Sequence, residues 1–99
     1  MGYQLSVKAA EDIEQIWLYT VENWSLAQAD RYINLIIDEI EYLASHPASG
    51  KDCSHIRKNY RSARVKSHVI FYRAIDRNTE IEVIRILHQS MDIENRLND

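Results

Sequence analysis

Two apolar runs joined by a short polar turn constrain the fold of this chain more than any other feature. The runs are Val69–Ala74 and Ile81–Leu87, and the turn between them is Asp76–Thr79. Strand-length runs on either side of such a turn predict a β-hairpin. Positions 69–72 are all apolar, so we expect both faces of the first strand to be covered and this strand to be central in a sheet.

The second run alternates less cleanly between apolar and polar residues. Strand periodicity assigns Ile81, Val83, Arg85 and Leu87 to one face, and Glu82, Ile84, Ile86 and His88 to the other. On this pattern Arg85 and His88 point to opposite faces of the sheet. The polar groups at the end of this strand are where we look for function.

Four further segments complete the expected fold. They are a strand at Tyr3–Val7, a helix at Ala9–Asn23, a helix that starts at Ser25 and ends near Ser45, and a strand at Tyr60–Val65. The order is therefore β-α-α-β-β-β, with short connections. It predicts an α+β fold in which a helical hairpin packs on one face of a small, mainly antiparallel sheet.

Several single residues carry more local expectations. Ser25 and Gln28 form a capping-box pattern, in which each side chain bonds to the other's backbone N–H. Glu11 and Asp12 fall in the first turn of the predicted first helix, where they oppose its dipole. Gly50 suits a turn that needs a positive φ, and Cys53 is expected to be a surface thiol.

Length and composition predict one domain, residues 1–99, in the cytoplasm. The single cysteine suits a reducing compartment, and no apolar run approaches the ~20 residues that span a bilayer. The four histidines lack metal-site spacing, no nucleophile elbow is present, and two glycines cannot form a phosphate loop. We therefore expect no metal, no cofactor and no catalytic nucleophile.

The charges are distributed unevenly along the chain. Residues 1–50 hold two Lys or Arg against eight acids, whereas residues 51–77 hold eight Lys or Arg against two acids. Such a bipolar chain suggests two partners of different character. The alternative is a solvated strand edge and loop.

The second helix has a wide apolar arc. A stripe of five residues, Ala29, Ile33, Ile36, Ile40 and Leu43, is flanked by Tyr32, Leu35 and Tyr42 on one side and by Ile37 and Ala44 on the other. This apolar arc is wider than a helix needs in order to cover one face of a sheet. Either the first helix covers the excess, or an apolar groove stays open for a partner helix.

A group of cations and histidines lies on or beside the predicted strands. The group consists of Arg61, Arg64, Arg73, Arg85, His68 and His88. Arginines bind phosphate or carboxylate in bidentate fashion, and histidine transfers protons near neutral pH. The group therefore suits nucleic-acid binding or RNA cleavage. Alternatively, Arg73 and Arg85 pair with Asp76, Glu80 or Glu82 across the hairpin.

Three segments resemble a known family of toxins. They are Leu43–Gly50 (LASHPASG), His68–Arg73 (HVIFYR) and Ile84–Asp92 (IRILHQSMD), of which the last is the most specific. Together they resemble the ParE branch of the RelE/ParE toxin superfamily over essentially the whole chain.

The resemblance implies the toxin half of a type II toxin–antitoxin module, encoded on a plasmid or chromosome. ParE-like toxins poison DNA gyrase by trapping it on cleaved DNA, whereas RelE-like relatives cut mRNA in the ribosome. An antitoxin, ParD in the ParE branch, wraps the toxin, so we expect a hetero-oligomer and no small-molecule substrate. Tyr32, Leu35 and Tyr42 are the expected antitoxin-binding residues.

Two departures from the ribonuclease pattern favour the gyrase branch. Val69 stands in the central strand where the ribonuclease relatives carry an arginine, and no tyrosine follows Tyr72. We therefore expect a non-catalytic toxin whose target-binding residues are Arg61, Arg64, Arg85, His88, Met91 and Asp92. His88 keeps the endoribonuclease open as an alternative, and a non-toxic homologue that only binds antitoxin is the third hypothesis.

Overall fold

The predicted hairpin lies at the centre of a five-stranded sheet. The computed structural model describes residues 2–76 and 80–97, so the last three residues of the predicted turn, 77–79, lie outside the described residues. Its elements are β1 (Gly2–Leu5), α1 (Val7–Asn23), α2 (Leu26–Ser45), a 3-10 turn (Pro47–Ser49), β2 (Lys51–Asp52), β3 (Arg61–Val65), β4 (His68–Asp76), β5 (Glu80–His88) and α3 (Ile93–Leu97). The strand order is β1-β5-β4-β3-β2, which confirms β4 as the central strand.

The sheet is mixed rather than wholly antiparallel. Strands β2 to β5 pair antiparallel with their neighbours, as predicted, but β1 pairs with β5 in parallel. The helical hairpin carries the chain from β1 to the far edge of the sheet. The meander β3-β4-β5 then returns it to lie beside β1 in the same direction, as a crossover connection requires.

Both long helices begin at a serine cap. Ser6 Oγ accepts a hydrogen bond from Ala9 N at 2.9 Å, and Ser25 Oγ accepts one from Gln28 N at 3.0 Å. The Gln28 side chain accepts from Arg31 instead of reaching back to the cap, so only half of the predicted capping box forms. Because α1 begins at Val7, the first turn holds no acid, and the expectation for Glu11 and Asp12 was wrong.

The helices cover one face of the sheet. Ile36, Ile40 and Leu43 of α2 are fully buried against Ile70 and Tyr72 of the sheet. Removal of such side chains from water is the main stabilising contribution, about 1.5–3 kcal/mol each. The wide apolar arc of α2 is therefore used largely for packing between α1 and the sheet.

The opposite face of the sheet has a smaller core of its own. Phe71 and Leu87 pack there against Leu97 of α3 and Cys53 of the loop before β3. Cys53 is buried, with its Sγ 3.2 Å from Ser62 Oγ, so the prediction of a surface thiol was wrong. The loop folds back over the sheet because β4 is apolar on both faces.

A β-bulge in β5 changes which side chains share a face. Phe71 lies opposite Arg85 and Tyr72 lies opposite Val83, so Ile84 is the extra residue. Ile81 and Val83 therefore share the helical face with Ile86, whereas Leu87 belongs to the opposite core. The simple alternation predicted for β5 was wrong beyond Val83.

Gly50 meets a steric requirement rather than a conformational one. Its φ is −72°, so the predicted positive φ was wrong. A Cβ at this position would collide with the Tyr72 phenol. The phenol accepts from Gly50 N at 2.9 Å and donates to Pro47 O at 2.8 Å, and burial raises the pKa of Tyr72. This phenol fixes the segment after α2 against β4.

Among the residues that the structure describes, no helix has both the length and the apolar character needed to cross a membrane.

Candidate functional site

An open groove lies between the helical hairpin and the end of the sheet where β4 begins and β5 ends. Its volume is about 1000 Å³, and its wall on the side of the helices includes Tyr19, Trp24, Tyr32 and Leu35. The Trp24 side chain is 75% exposed at the mouth of the groove. An apolar, solvent-open groove of this kind suits a helix or extended segment of another protein.

Two histidines form the polar floor of the groove. His68 and His88 are directly opposite each other in β4 and β5, and their rings lie 5.2 Å apart and nearly perpendicular. His68 Nδ1 is 2.6 Å from the Tyr32 hydroxyl. Burial lowers the pKa of His68, and the neighbouring charge of His88 lowers it further.

The tautomer of His88 follows from its hydrogen bonds. Ser90 N donates to His88 Nδ1 at 3.0 Å, and the Ser90 hydroxyl lies 2.7 Å from the same nitrogen. A backbone N–H can only donate, so Nδ1 carries no proton and the proton of the neutral ring is on Nε2. His88 can therefore offer a hydrogen-bond donor to a partner in the groove.

Arg85 ties three elements together beside the groove. Its Nε and Nη2 donate to the two carboxylate oxygens of Asp12 in α1, at 2.9 and 3.0 Å. Its Nη1 donates to Arg96 O in α3 at 3.2 Å. Asp12 also accepts from Ile86 N at 2.9 Å, where β1 no longer pairs with β5. Thus Asp12 replaces a missing strand partner, and Arg85 holds it there.

The other predicted target-binding residues fall in two places. Met91 lines the groove beside His88, Arg64 donates to Gln89 just after β5, and Asp92 is exposed at the start of α3. Arg61 lies nearer the other end of β3, where it donates to Gly50 O at 2.9 Å. The structure therefore brings Arg64, His88, Met91 and Asp92 together around the end of the sheet and leaves Arg61 apart.

The predicted antitoxin-binding residues are also divided. Tyr32 and Leu35 line the groove, whereas Tyr42 lies two turns further along α2, outside the groove, with its ring stacked on His46 at 4.5 Å. Arg73 pairs with Glu82 at 2.8 Å, as the cross-strand alternative predicted. Arg85 pairs with Asp12 of α1, an acid that the cross-strand alternative did not include.

The groove wall contains residues that the sequence patterns did not identify as functional. Tyr19 of α1 and Trp24, the residue directly after α1, are exposed there. The available signal for Trp24 was its position, since it stands directly before the capping-box serine, Ser25, in the short connection between the two helices. In residues 2–76 and 80–97, no group of three His, Cys, Asp or Glu is placed to hold a metal ion.

Comparison with known families identifies the family to which this fold belongs. A family model described as the ParE toxin of type II toxin–antitoxin system, parDE, matches residues 3–93. The chain belongs to the ParE toxin family. This range includes both long helices, the sheet except for Gly2, and the residues that line the groove.

Individual ParE toxins are similar over nearly their full length. Toxin ParE1 of Mycobacterium tuberculosis is 38% identical over 95 residues, covering 96% of each chain. Toxin ParE1 of Caulobacter vibrioides is 39% identical over 90 residues, covering 91% of each chain. The solved chromosomal ParDE toxin–antitoxin system from P. aeruginosa has the same fold, with a TM-score of 0.75 at 18% identity over 89% of this chain and 95% of that chain.

Proposed function

We propose that this ParE-family toxin inhibits DNA gyrase by stabilising the complex of the enzyme with cleaved DNA, without chemistry of its own. A ParD-like antitoxin neutralises it. Membership of the ParE family supports both parts of the proposal. The observation that carries the proposal is the solvent-open groove, in which an apolar wall meets the polar end of the sheet.

The groove suits the antitoxin because its wall is apolar and accessible. Tyr19, Trp24 and Leu35 expose large side chains along it. An amphipathic helix that lays its apolar face on these residues would remove them from water, which is the usual mode of helix-in-groove recognition. Tyr42 lies beyond the groove on the same helix, where a longer antitoxin segment would pass.

The target surface shares part of this groove. His88 and Met91 line it, and Arg64 and Asp92 lie on its outer rim around the end of β5. An antitoxin seated in the groove would cover His88 and Met91 and compete directly with gyrase. Neutralisation then needs no conformational change in the toxin.

Poisoning requires only a difference in affinity between two states of the enzyme. A toxin that binds the cleaved complex more tightly than the religated one raises the population of cleaved DNA. The guanidinium of Arg85 is bound to Asp12 within the toxin. Arg85 therefore contributes to this function by holding the end of β5 in place.

The test uses purified toxin in two parallel reactions. We expect linearised plasmid to accumulate in a gyrase supercoiling and cleavage assay, while a cell-free translation reaction keeps its mRNA intact. Cut mRNA together with normal supercoiling would contradict the proposal and support an endoribonuclease that uses His88. Neither effect, together with tight antitoxin binding, would indicate the non-toxic homologue.

A matched pair of variants localises the target surface. Met91 and Ile75 are both 41% exposed, but Met91 lies at the groove and Ile75 lies near the opposite end of β4. Met91→Glu should reduce plasmid linearisation by at least about tenfold, which corresponds to 1.4 kcal/mol. Ile75→Glu should leave it unchanged, and equal losses in both variants would place the gyrase contact elsewhere.

A further inference from the structure

A band of positive charge lies on the opposite side of the sheet from β1, and the groove does not account for it. We define the basic margin as the cations of β2, the following loop, β3 and the turn after β3: Lys51, Arg57, Lys58, Arg61, Arg64 and Lys66. Residues 51–66 hold these six cations and one acid, Asp52. Asp52 accepts hydrogen bonds from Ser54, which lower its pKa, so its charge offsets one of the six.

The lysines of this margin are available to a partner. Lys51, Lys58 and Lys66 are exposed, and no carboxylate among the side chains that the structure describes forms an ion pair with them. Arg64 is also exposed and uses its guanidinium on a neutral group, the Gln89 amide. The three lysines and Arg64 therefore retain their charge toward solvent, where an anionic partner can meet them.

The face of the molecule that carries the two long helices is acidic. Exposed carboxylates lie along both long helices, at Glu11, Glu14, Glu22, Asp30, Asp38 and Glu41. A polyanion is repelled by that side and attracted to the margin, so the charge distribution fixes the orientation in which it approaches.

We propose that the basic margin binds the phosphate backbone of duplex DNA. This inference rests on the proposed function and deepens it, because it makes the DNA held by gyrase a direct contact of the toxin. From Arg61 to Lys66 the chain advances roughly 16 Å at the rise of a β-strand. That length matches about five phosphates of one strand, at 3.4 Å of helix axis per phosphate.

The chemistry of the margin favours DNA over an acidic peptide. The exposed side chains from Lys51 to Asn59 are polar or charged, so an amphipathic peptide finds no apolar seat there. The apolar seat is the groove, whose wall is formed by the helices. Lysine ammonium groups bind phosphates as point charges and need no fixed geometry, as a contact independent of base sequence requires.

Direct binding to DNA gives the first test. Fluorescence anisotropy of a labelled 20-base-pair duplex, titrated with the toxin at several salt concentrations, should give a slope of log affinity against log salt of about −3. Lys51→Glu and Lys58→Glu should each make the slope shallower by about 1. Lys8→Glu changes the net charge equally but lies on α1, and it should leave the slope unchanged.

The outcomes are decisive in both directions. Weaker and less salt-dependent binding in the two margin variants, with the wild-type slope kept in Lys8→Glu, supports the inference. Three results would overturn it. The first is a wild type that does not bind the duplex, and the second is an equal change of slope in all three variants. The third result is a margin that binds a polyglutamate peptide but not the duplex. All three lysines are exposed, and thermal unfolding of each variant checks that the fold is retained.

A second experiment separates this inference from the proposed function. In the gyrase cleavage assay, the double variant K51E/K58E should linearise plasmid at least about tenfold less well than the wild type, while antitoxin affinity stays the same. If the double variant poisons gyrase normally, the DNA contact is overturned and the gyrase function stands. If the wild type does not poison gyrase, the proposed function fails and the anisotropy experiment still decides whether the margin binds DNA.

Discussion

Arg85 shows how one side chain can serve the fold and the site together. The side chains of Arg85 and Asp12 are only 12% and 15% exposed, and the bidentate pair joins residues 73 positions apart in the chain. The sequence placed Arg85 on the correct strand, and cross-strand distance was sufficient to predict the Arg73–Glu82 pair. Asp12 could not be identified as a partner, because that pairing depends on how α1 crosses the edge of the sheet.

Removal of the Arg85 side chain should therefore act mainly on stability. Arg85→Ala leaves Asp12 partly buried without its cation and should lower the free energy of unfolding by about 3 kcal/mol. Arg73→Ala removes the more exposed pair with Glu82 and should cost less than about 1 kcal/mol. Urea unfolding followed by circular dichroism measures both, and similar losses in the two variants would refute the special role of Arg85.

His68 should make stability depend on pH. Burial and the charge of His88 lower the pKa of His68 below its ordinary 6.5, against the opposing effect of Asp12. The unfolded chain then binds the proton more readily, so the stability from this group is complete above about pH 6.5 and is lost as the pH falls through the folded pKa.

Urea unfolding between pH 5 and pH 8 tests this linkage. His68→Gln should flatten the acid side of the stability profile, because glutamine does not titrate. His55→Gln is the control, since His55 is exposed in the loop before β3 and should leave the profile as in the wild type. An unchanged slope in His68→Gln would exclude His68 as its source.

At the level of elements, local signals predicted most of the fold. The Ser25 cap and the apolar periodicity located both long helices within a few residues, and the turn located the hairpin. The Ile84 bulge was not predictable, because isoleucine suits either face of a strand covered on both sides. The parallel pairing of β1 depends on the path of the whole chain, which no local pattern specifies.

The connection after α2 offers an element-scale prediction. Gly50→Ala places a methyl group against the Tyr72 phenol and should destabilise the fold by about 1–3 kcal/mol. Gly2→Ala is the matched control, since a Cβ there meets nothing within 4 Å. Thermal unfolding compares the two, and a Gly50→Ala variant as stable as Gly2→Ala would show that the connection yields without cost.

At the scale of the whole molecule, the groove and the basic margin are adjoining surfaces on one small toxin, since Lys66 lines the groove and Arg64 lies on its rim. The sequence indicated both through the wide apolar arc of α2 and the unequal charge of the two halves. It did not indicate that Tyr19 of α1 and Trp24 directly after α1 line the groove. The angle between two helices is set by packing against the sheet, so the residues left exposed where they diverge cannot be read from the periodicity of either helix.

The antitoxin contact can be tested with another matched pair. Leu35 and Leu18 are 40% and 38% exposed, but only Leu35 lines the groove. Leu35→Glu should weaken binding of a ParD-like antitoxin by about 2 kcal/mol, or roughly 30-fold, because it buries a charge in an apolar contact. Leu18→Glu should bind as the wild type does. Calorimetric titration measures both, and unchanged affinity in Leu35→Glu would place the antitoxin elsewhere.

Trp24 gives this molecule a natural optical signal. Its indole stands in water at the mouth of the groove, whereas the other tryptophan, Trp17, is half-buried and donates to Asp30 at 3.1 Å. Any segment that fills the groove will dehydrate one indole and leave the second unaltered. The emission maximum should then move to shorter wavelength in proportion to occupancy, so neutralisation of the unlabelled toxin can be followed in real time in a cuvette.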